Sequence, residues 1–214
     1  MTRVIEPETA QHIVGPDVRR FLDDLRRINR WLGGHWVTRS AFRRLNPPER
    51  FTVLDVGAGS SANGQAIQSA WPRAAITSLD ILPSHLASAD GARVAADAFH
   101  LPFAARSMDY VYCSLFLHHF SDDEIVRLLT GFAQVARRGV VVVDLERHIF
   151  ARQFLPATRW LFRWHPVTVH DGKLSVNAAF KAGELRALAA RAGLRGARVA
   201  RHRPWFRLSV VWGR

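Results

Sequence analysis

The chain has 214 residues, of which 48% are apolar, and this length is enough for one α/β domain with a modest cap. Its single cysteine, Cys113, excludes a disulfide framework and a cysteine-rich metal site and is typical of a reducing compartment. No uncharged apolar run is long enough to cross a membrane, and Met1 to Pro16 lack the apolar core of a signal peptide. We therefore expect a cytoplasmic protein.

The formal net charge of +12 raises the question of nucleic-acid binding. Residues 145–214 hold fourteen of the thirty cationic side chains and three of the eighteen acidic ones. Only Lys173 and Lys181 are lysines, however, and such an excess of arginine points to a compositional bias as much as to a phosphate-binding surface. We expect a small molecule as the partner and keep RNA as an alternative.

Alternating strand-like and helix-like segments predict the architecture. An N-terminal helix begins near Asp17 and ends at Gly33-Gly34, because apolar residues recur at helical spacing: Val18, Phe21, Leu25, Ile28 and Leu32. Five strands follow, at Phe51–Val56, Ala75–Asp80, Arg93–Ala96, Met108–Ser114 and Val140–Asp144. The fold class is thus α/β, with a Rossmann-like, doubly wound and mostly parallel sheet.

The best-marked helix lies before the fifth strand. Ser121-Asp122-Asp123-Glu124 has the pattern of a capping box, and a buried stripe follows it, formed by Ile125, Leu128, Leu129, Phe132 and Val135. We expect Arg137 and Arg138 at the negative end of this helix and Gly139 as its terminator. The next four residues, Val140–Val143, predict a central parallel strand that is covered on both faces.

The C-terminal part predicts a helix over Ala182–Ala192 that ends at Gly193. Two β-prone runs, Ala197–Arg201 and Phe206–Trp212, are close enough to pair as an antiparallel edge hairpin. This hairpin brings the predicted sheet to seven strands.

The segment Leu145–Asn177 is rich in aromatic residues interleaved with arginines. An insertion after the fifth strand lies at the carboxyl ends of the strands, so we favour a helical lid over a substrate. A packed helix pair with arginine stems along its apolar surface is one alternative, and an amphipathic segment on anionic lipid is another. We divide the single domain, 1–214, into a helical cap (1–50), a cofactor-binding core (51–144), a lid (145–180) and a C-terminal helix and hairpin (181–214).

The first strand leads into Gly57-Ala58-Gly59, a pattern that lets the backbone approach a nucleotide-like cofactor. The spacing from Gly57 to Ala62 also satisfies the dinucleotide fingerprint. Asp55 decides between the cofactors, because a carboxylate just before the glycines repels a pyrophosphate but suits an ammonium and a sulfonium. S-adenosylmethionine (SAM) carries both groups and no phosphate, so we predict SAM rather than a nicotinamide or flavin dinucleotide.

Two further strand ends carry carboxylates. Asp80, followed by Ile81, ends the second strand and is placed to accept both ribose hydroxyls. Asp97 and Ala98 end the third strand, where a carboxylate can accept from an adenine amino group and a backbone N–H can donate.

These features resemble the class I SAM-dependent methyltransferases, especially the small-molecule, type 11-like branch with its Leu-Pro-Phe and Leu-His-His signatures. The resemblance covers roughly residues 51–144. It implies contacts to the methionine part from Gly57, Gly59, Ser114 and Leu115, to the ribose from Asp80, and to the adenine from Asp97 and Ala98. The usual third glycine of the family is Ser61 here, so we expect a wider loop or a hydroxyl contact to the ligand.

Methyl transfer from a sulfonium mainly needs positioning, and no metal is expected, since the adjacent His118 and His119 point apart on a strand. For a phenolic acceptor, a neutral imidazole helps by taking the proton. His119 is the first candidate for this base, His170 beside Asp171 the second, and His118 the third. A structural histidine bonded to backbone is the alternative for each.

The predicted function is SAM-dependent methylation, at oxygen, of a small and largely apolar or aromatic acceptor. Two short segments, Asp144–His148 and His170–Gly172, resemble methyltransferases of polyketide-like secondary metabolism or quinone biosynthesis. An RNA methyltransferase that uses the basic C-terminal region is one alternative. A non-catalytic SAM-binding subunit, suggested by Ser61, is the other.

Overall fold

The computed structural model describes residues 16–59 and 61–214. Its seven strands form one sheet in the order β3-β2-β1-β4-β5-β7-β6. Five strands are parallel: β1 (Phe51–Val56), β2 (Ala74–Asp80), β3 (Ala92–Ala95), β4 (Met108–Ser114) and β5 (Ala136–Leu145). The C-terminal hairpin of β6 (Arg198–His202) and β7 (Arg207–Gly213) joins β5 in antiparallel orientation. The predicted fold class is confirmed.

Seven helices flank this sheet in the described part of the chain. They are α1 (Pro16–Trp31), α2 (Gly34–Arg43), α3 (Ala62–Ala70), α4 (Asp122–Val135), α5 (Ile149–Phe162), α6 (Pro166–Ala178) and α7 (Ala182–Arg191). None of these helices is long and apolar enough to span a bilayer.

The core has two layers, one on each face of the sheet. Val140 and Val142 of β5 pack with α4 and α7, whereas Val141 and Val143 pack with α2 and the first strand. All four valines are completely buried, as expected for a central strand. The parallel sheet is therefore covered on both sides, and its carboxyl edge is left for a ligand.

The helix before β5 begins as predicted but ends earlier. Ser121 and Glu124 form the capping box. The prediction that Arg137 and Arg138 lie at the helix end was wrong, because β5 already begins at Ala136 and both guanidiniums pair with Asp109, at 3.0 and 3.2 Å. Gly139 is not a terminator either: it lies within β5, where an added Cβ would stand 2.4 Å from the Trp212 carbonyl oxygen.

The N-terminal region forms two helices where one was predicted. Gly33 ends the first by adopting a φ of +73°, and an added Cβ there would collide with the Trp205 ring. The second helix, α2, begins at once at Gly34 and packs on the sheet through Val37, Ala41 and Phe42. The side chains of Val18 and Phe21, which the pattern placed on the buried stripe, lie outside the described part.

The aromatic segment after β5 forms the helix pair α5 and α6. Leu155, Trp164 and Val169 make a small core between them, and the Trp164 indole donates to the Thr158 hydroxyl at 3.0 Å. Helix α6 contacts the short 3-10 turn Leu117–His119 at the carboxyl end of β4. The predicted lid over a substrate stays a prediction.

Removal of a core ring on α4 should destabilise the fold strongly. Phe132 is completely buried, whereas Gln134 on the same helix is exposed. We expect Phe132→Ala to lower the free energy of unfolding by about 3–5 kcal/mol through lost burial and a cavity, and Gln134→Ala to change it by less than about 0.5 kcal/mol. Urea denaturation measures both values, and equal effects of the two substitutions would contradict the packing described.

Candidate functional site

Three strand ends meet at the carboxyl edge of the sheet. Val56 of β1 lies beside Leu79 of β2 on one side and beside Cys113 of β4 on the other. The residues that follow, Gly57, Asp80 and Ser114, are therefore neighbours across the edge. Parallel register alone brings these predicted residues together.

The loop after β1 is held by hydrogen bonds from its backbone. The N–H of Ala58 donates to the Leu79 carbonyl and that of Gly59 to Oδ2 of Asp80, both at 3.0 Å. Gly57 and Gly59 adopt positive φ values of +65° and +51°, which favour glycine. An added Cβ at Gly57 would lie 2.2 Å from the Phe116 ring, whereas one at Gly59 would meet no atom within 4 Å. The loop thus offers open space above Gly59.

Ser61 adopts the left-handed conformation that a glycine would favour, with φ +56°. Its buried hydroxyl donates to the Ser78 hydroxyl of β2 at 2.8 Å. The hydroxyl is thus engaged inside the protein, which differs from the ligand contact that we expected as one of two outcomes. The serine instead fastens the start of α3 to the second strand.

Asp80 carries the negative charge of the loop. Besides Gly59, its carboxylate accepts from the Leu82 N–H at 3.0 Å, and His85 Nδ1 lies 3.3 Å from Oδ1. Burial would raise the pKa of Asp80, but the hydrogen bonds from His85, Leu82 and Gly59 hold it below its usual value. The same contact raises the pKa of His85. Ile81 beside it is 67% exposed and presents an apolar surface at this edge.

Asp55 differs in charge from what the sequence suggested. Its side chain is buried in β1, and Oδ2 has no hydrogen-bond partner among residues 16–59 and 61–214. Burial raises the pKa of Asp55 to about 8, the nearby Asp80 carboxylate adds to the rise, and a hydrogen bond from the Gly64 N–H opposes it. Asp55 is therefore neutral at pH 7 in this structure, and Asp80 supplies the anion that repels a phosphate.

Asp97 and Ala98 follow β3, which ends two residues earlier, at Ala95. The Asp97 carboxylate accepts from the Phe99 N–H at 2.9 Å and lies 2.8 Å from His100 Nδ1. These two hydrogen bonds lower the pKa of Asp97, which is therefore ionised at neutral pH.

The end of β4 is a strained turn. Ser114 is the last residue of the strand and is buried. Leu115 adopts a φ of +52°, and its N–H donates to the Val143 carbonyl of β5 at 2.9 Å. The turn aims the following Phe116 ring at Gly57, so the methionine side of the predicted cofactor site has an aromatic wall.

His118 forms a buried hydrogen-bonded pair with Asp144 that the sequence did not predict. Its Nδ1 lies 2.8 Å from Oδ1 of Asp144 at the end of β5, and Oδ2 of that carboxylate accepts from the Leu117 N–H at 3.0 Å. Burial would raise the pKa of Asp144, but the charge and hydrogen bond of His118 hold it below its usual value. The sequence marked Asp144 by its position at the end of an apolar strand and by the segment Asp144–His148, but neither signal predicted its pairing with His118.

The prediction that His118 and His119 point apart on a strand was wrong. They lie in the 3-10 turn after β4, and their ring centroids are 4.1 Å apart with the planes inclined by 36°. His118 is buried beside Asp144, whereas His119 is exposed. His170 is exposed on α6, while its neighbour Asp171 is buried.

Comparison with known proteins gives one match to a family model. Residues 53–139 match the family model of a methyltransferase domain. No curated protein matches the chain.

Solved structures share the fold at low sequence identity. The plantazolicin methyltransferase BpumL, solved with SAH, is 14% identical with a TM-score of 0.68, and the match covers 93% of this chain and 92% of that one. A Nostoc punctiforme protein provisionally described as an O-methyltransferase is 17% identical (TM-score 0.60; 84% and 55% covered). Human N-acetylserotonin methyltransferase, solved with SAM, is 16% identical (TM-score 0.56; 78% and 48% covered). This chain therefore spans only about half the length of the last two.

Asp55 should make stability depend on pH. Its folded pKa of about 8 lies above the unfolded value, so the folded chain keeps a proton that the unfolded chain loses. The stability contributed at this site is therefore largest near about pH 4 and falls as the pH rises to about 8. The amide of Asp55→Asn cannot ionise. We therefore expect the free energy of unfolding of this variant, relative to that of the wild type, to rise by up to about 1.4 kcal/mol per pH unit in that range. Urea denaturation at several pH values measures the difference, and a difference that stays constant would contradict the buried neutral carboxyl.

Proposed function

We propose that this chain, a SAM-dependent methyltransferase by its matched domain and its class I fold, methylates a hydroxyl group of a small apolar or aromatic acceptor. One observation carries the proposal: the glycine loop, the ionised Asp80 and the turn after β4 converge at one edge of the sheet. The matched domain and the fold confirm the resemblance to class I SAM-dependent methyltransferases.

The site residues fit a cofactor with positive groups and a ribose. The open space above Gly59 admits a ligand close to the backbone, and Asp80 lies at the loop, where a ribose diol can donate to its oxygens. The buried Oδ2 of Asp55 has no hydrogen-bond partner in the part of the chain that the structure describes, so a nearby cation would favour the ionised carboxyl. We assign the adenine to Asp97 and Ala98, beside Ile81. The methionine part lies along Gly57, Ala58, Ser114 and Leu115. SAM, when bound, supplies the electrophilic methyl group.

The acceptor class follows from the aromatic wall near the glycine loop. The Phe116 ring lies over Gly57 and packs against Phe120 at a centroid distance of 4.9 Å, and Phe120 packs against Phe99 at 5.5 Å. Such a wall suits a flat or apolar acceptor and keeps water from the methyl group. The similarity to the Nostoc punctiforme protein that is provisionally described as an O-methyltransferase supports oxygen as the acceptor atom. The similarity to an Anabaena variabilis protein that is provisionally described as a methyltransferase of an antibiotic biosynthesis pathway supports secondary metabolism as the setting.

His119 is our candidate for the base that takes the hydroxyl proton. It is exposed at the carboxyl edge, and its ring stacks on that of His118, whose Nδ1 is fixed by Asp144. The buried pair holds the turn in place, so His118 acts as a positioning residue and His119 as the proton acceptor. His170 on α6, the helix that contacts this turn, is the second candidate.

The basic C-terminal region does not favour RNA as the acceptor. Arg147 and Arg207 are buried, and Arg147 pairs with Glu184 at 2.5 Å. Arg201 and Arg203 both lie 3.4 Å from Glu146. Several of the arginines that raise the net charge therefore serve the fold rather than a phosphate surface.

Calorimetric titration with SAM tests the cofactor. We expect Asp80→Ala to weaken SAM binding about 10- to 100-fold, since two charge-assisted hydrogen bonds are lost. Asp90→Ala is the matched control, because Asp90 is exposed and pairs with the Gln65 side chain away from the loop end. Absence of SAM binding by the wild type, or equal affinity of the Asp80 variant, would overturn the assignment.

Turnover of alkyl-substituted phenols with radiolabelled SAM tests the base. We expect His119→Ala to lower turnover about 100-fold or more while the affinity for SAM is unchanged, and to remove the rise of rate with pH that a neutral imidazole produces. His170→Ala is compared in parallel. Full turnover by the His119 variant would move the role to His170 or to positioning alone.

A further inference from the structure

Helix α5 carries apolar side chains that the fold does not cover. Ile149, Phe150, Trp160 and Leu161, which we call the α5 face, are between 52% and 80% exposed. The opposite side of the helix is buried through Leu155, which packs on Trp164 and Val169. The exposed face is therefore not required by the packing of the helix pair, and exposed apolar patches of this kind mark interaction sites.

Arginines border the α5 face. Arg159 and Arg163 are exposed, and with Pro156, Trp160 and Trp164 they line an open groove along the helix. Neither arginine forms an ion pair with any residue in the ranges 16–59 and 61–214. From residue 147 to residue 170 the sequence contains four arginines and no acidic residue. The whole surface is thus apolar and cationic together.

The combination of apolar and cationic side chains indicates which kind of partner binds the α5 face. In a two-fold dimer through the α5 face, the arginines of both copies would meet, and residues 147–170 supply no carboxylate to neutralise them. A bilayer with anionic headgroups accepts both features, because tryptophan and other apolar side chains enter the boundary layer while arginines contact phosphates. We propose that the α5 face binds an anionic lipid surface and holds the protein on a membrane.

Among the described elements, α6 rather than α5 packs against the 3-10 turn of the candidate site. Helix α6 lies between α5 and the 3-10 turn that carries His118 and His119. The start of α5 is anchored by stacking of His148 on Phe206 at 4.6 Å, and its end by the Arg27 guanidinium, which donates to the Phe162 carbonyl at 3.0 Å. The α5 face can therefore rest on lipid without rearrangement of the site residues.

Co-sedimentation of the full chain with lipid vesicles tests the proposal, in the absence of SAM and of any acceptor, so the result does not depend on the proposed methyl transfer. One set of vesicles is phosphatidylcholine alone, and the other contains phosphatidylglycerol as well. We expect binding to the anionic set only, and weaker binding when salt rises from about 0.1 M to about 0.5 M.

Two double variants and their controls locate the surface. Arg159→Gln/Arg163→Gln should weaken binding about five-fold for each arginine removed. Trp160→Gln/Leu161→Gln should weaken it at least as much. The charge control is Arg195→Gln/Arg198→Gln, two exposed arginines near the start of the hairpin, and the tryptophan control is Trp36→Gln, 55% exposed on α2. Both controls should bind like the wild type.

Several results would overturn the proposal. They are absence of binding by the wild type, equal binding to neutral and anionic vesicles, and an equal loss in a control and in its matched variant. Sedimentation velocity without lipid can give a further contradicting result. If the wild type is a dimer and Trp160→Gln/Leu161→Gln is a monomer, the α5 face binds a second copy of the chain instead of lipid. All replaced side chains are exposed, so thermal unfolding should show the same midpoint for each variant.

Discussion

The parallel register of β1, β2 and β4 is the constraint on which the candidate site depends. Val56 is flanked by Leu79 and Cys113, so the next residue of each strand reaches the same edge at the same level. Strand pairing therefore brings together the glycine loop, the Asp80 carboxylate and the turn after β4, and no bound ligand is needed to position them. A shift of one residue in either pairing would move Asp80 away from the N–H of Gly59.

Three carboxyl groups near this edge have different protonation states because their partners differ. Asp80 receives hydrogen bonds from two backbone N–H groups and from His85, and it stays ionised. Asp144 is completely buried, but its contact with His118 holds its pKa below the usual value. Asp55 is also buried, and one of its oxygens has no hydrogen-bond partner within the described ranges, so the carboxyl keeps its proton. Of the two carboxyl groups at the glycine loop, Asp55 and Asp80, only Asp80 is therefore ionised, and the repulsion of a pyrophosphate comes from Asp80.

The arginines of this chain serve different purposes according to burial. Arg207 is buried and donates to the Leu32 carbonyl at 3.0 Å, which ties the end of the first helix to the last strand. Arg137 and Arg138 neutralise Asp109 between two strands. Arg159 and Arg163, at the end of α5, form no ion pair within residues 16–59 and 61–214, and they lie beside the exposed Trp160. A net charge summed over the sequence hides this division between structural and surface cations.

The sequence by itself determined the features that depend on neighbouring residues. The bounds of β1 and β4, the capping box of α4 and the glycine loop are local patterns, and the structure has them as predicted. The tertiary structure decided the rest: the pairing of His118 with Asp144, the proton on Asp55, and the placement of Arg137 on a strand. Each of these features depends on contacts between residues far apart in the chain or on burial from water. The spacing of residues along one segment predicts neither long-range contacts nor burial.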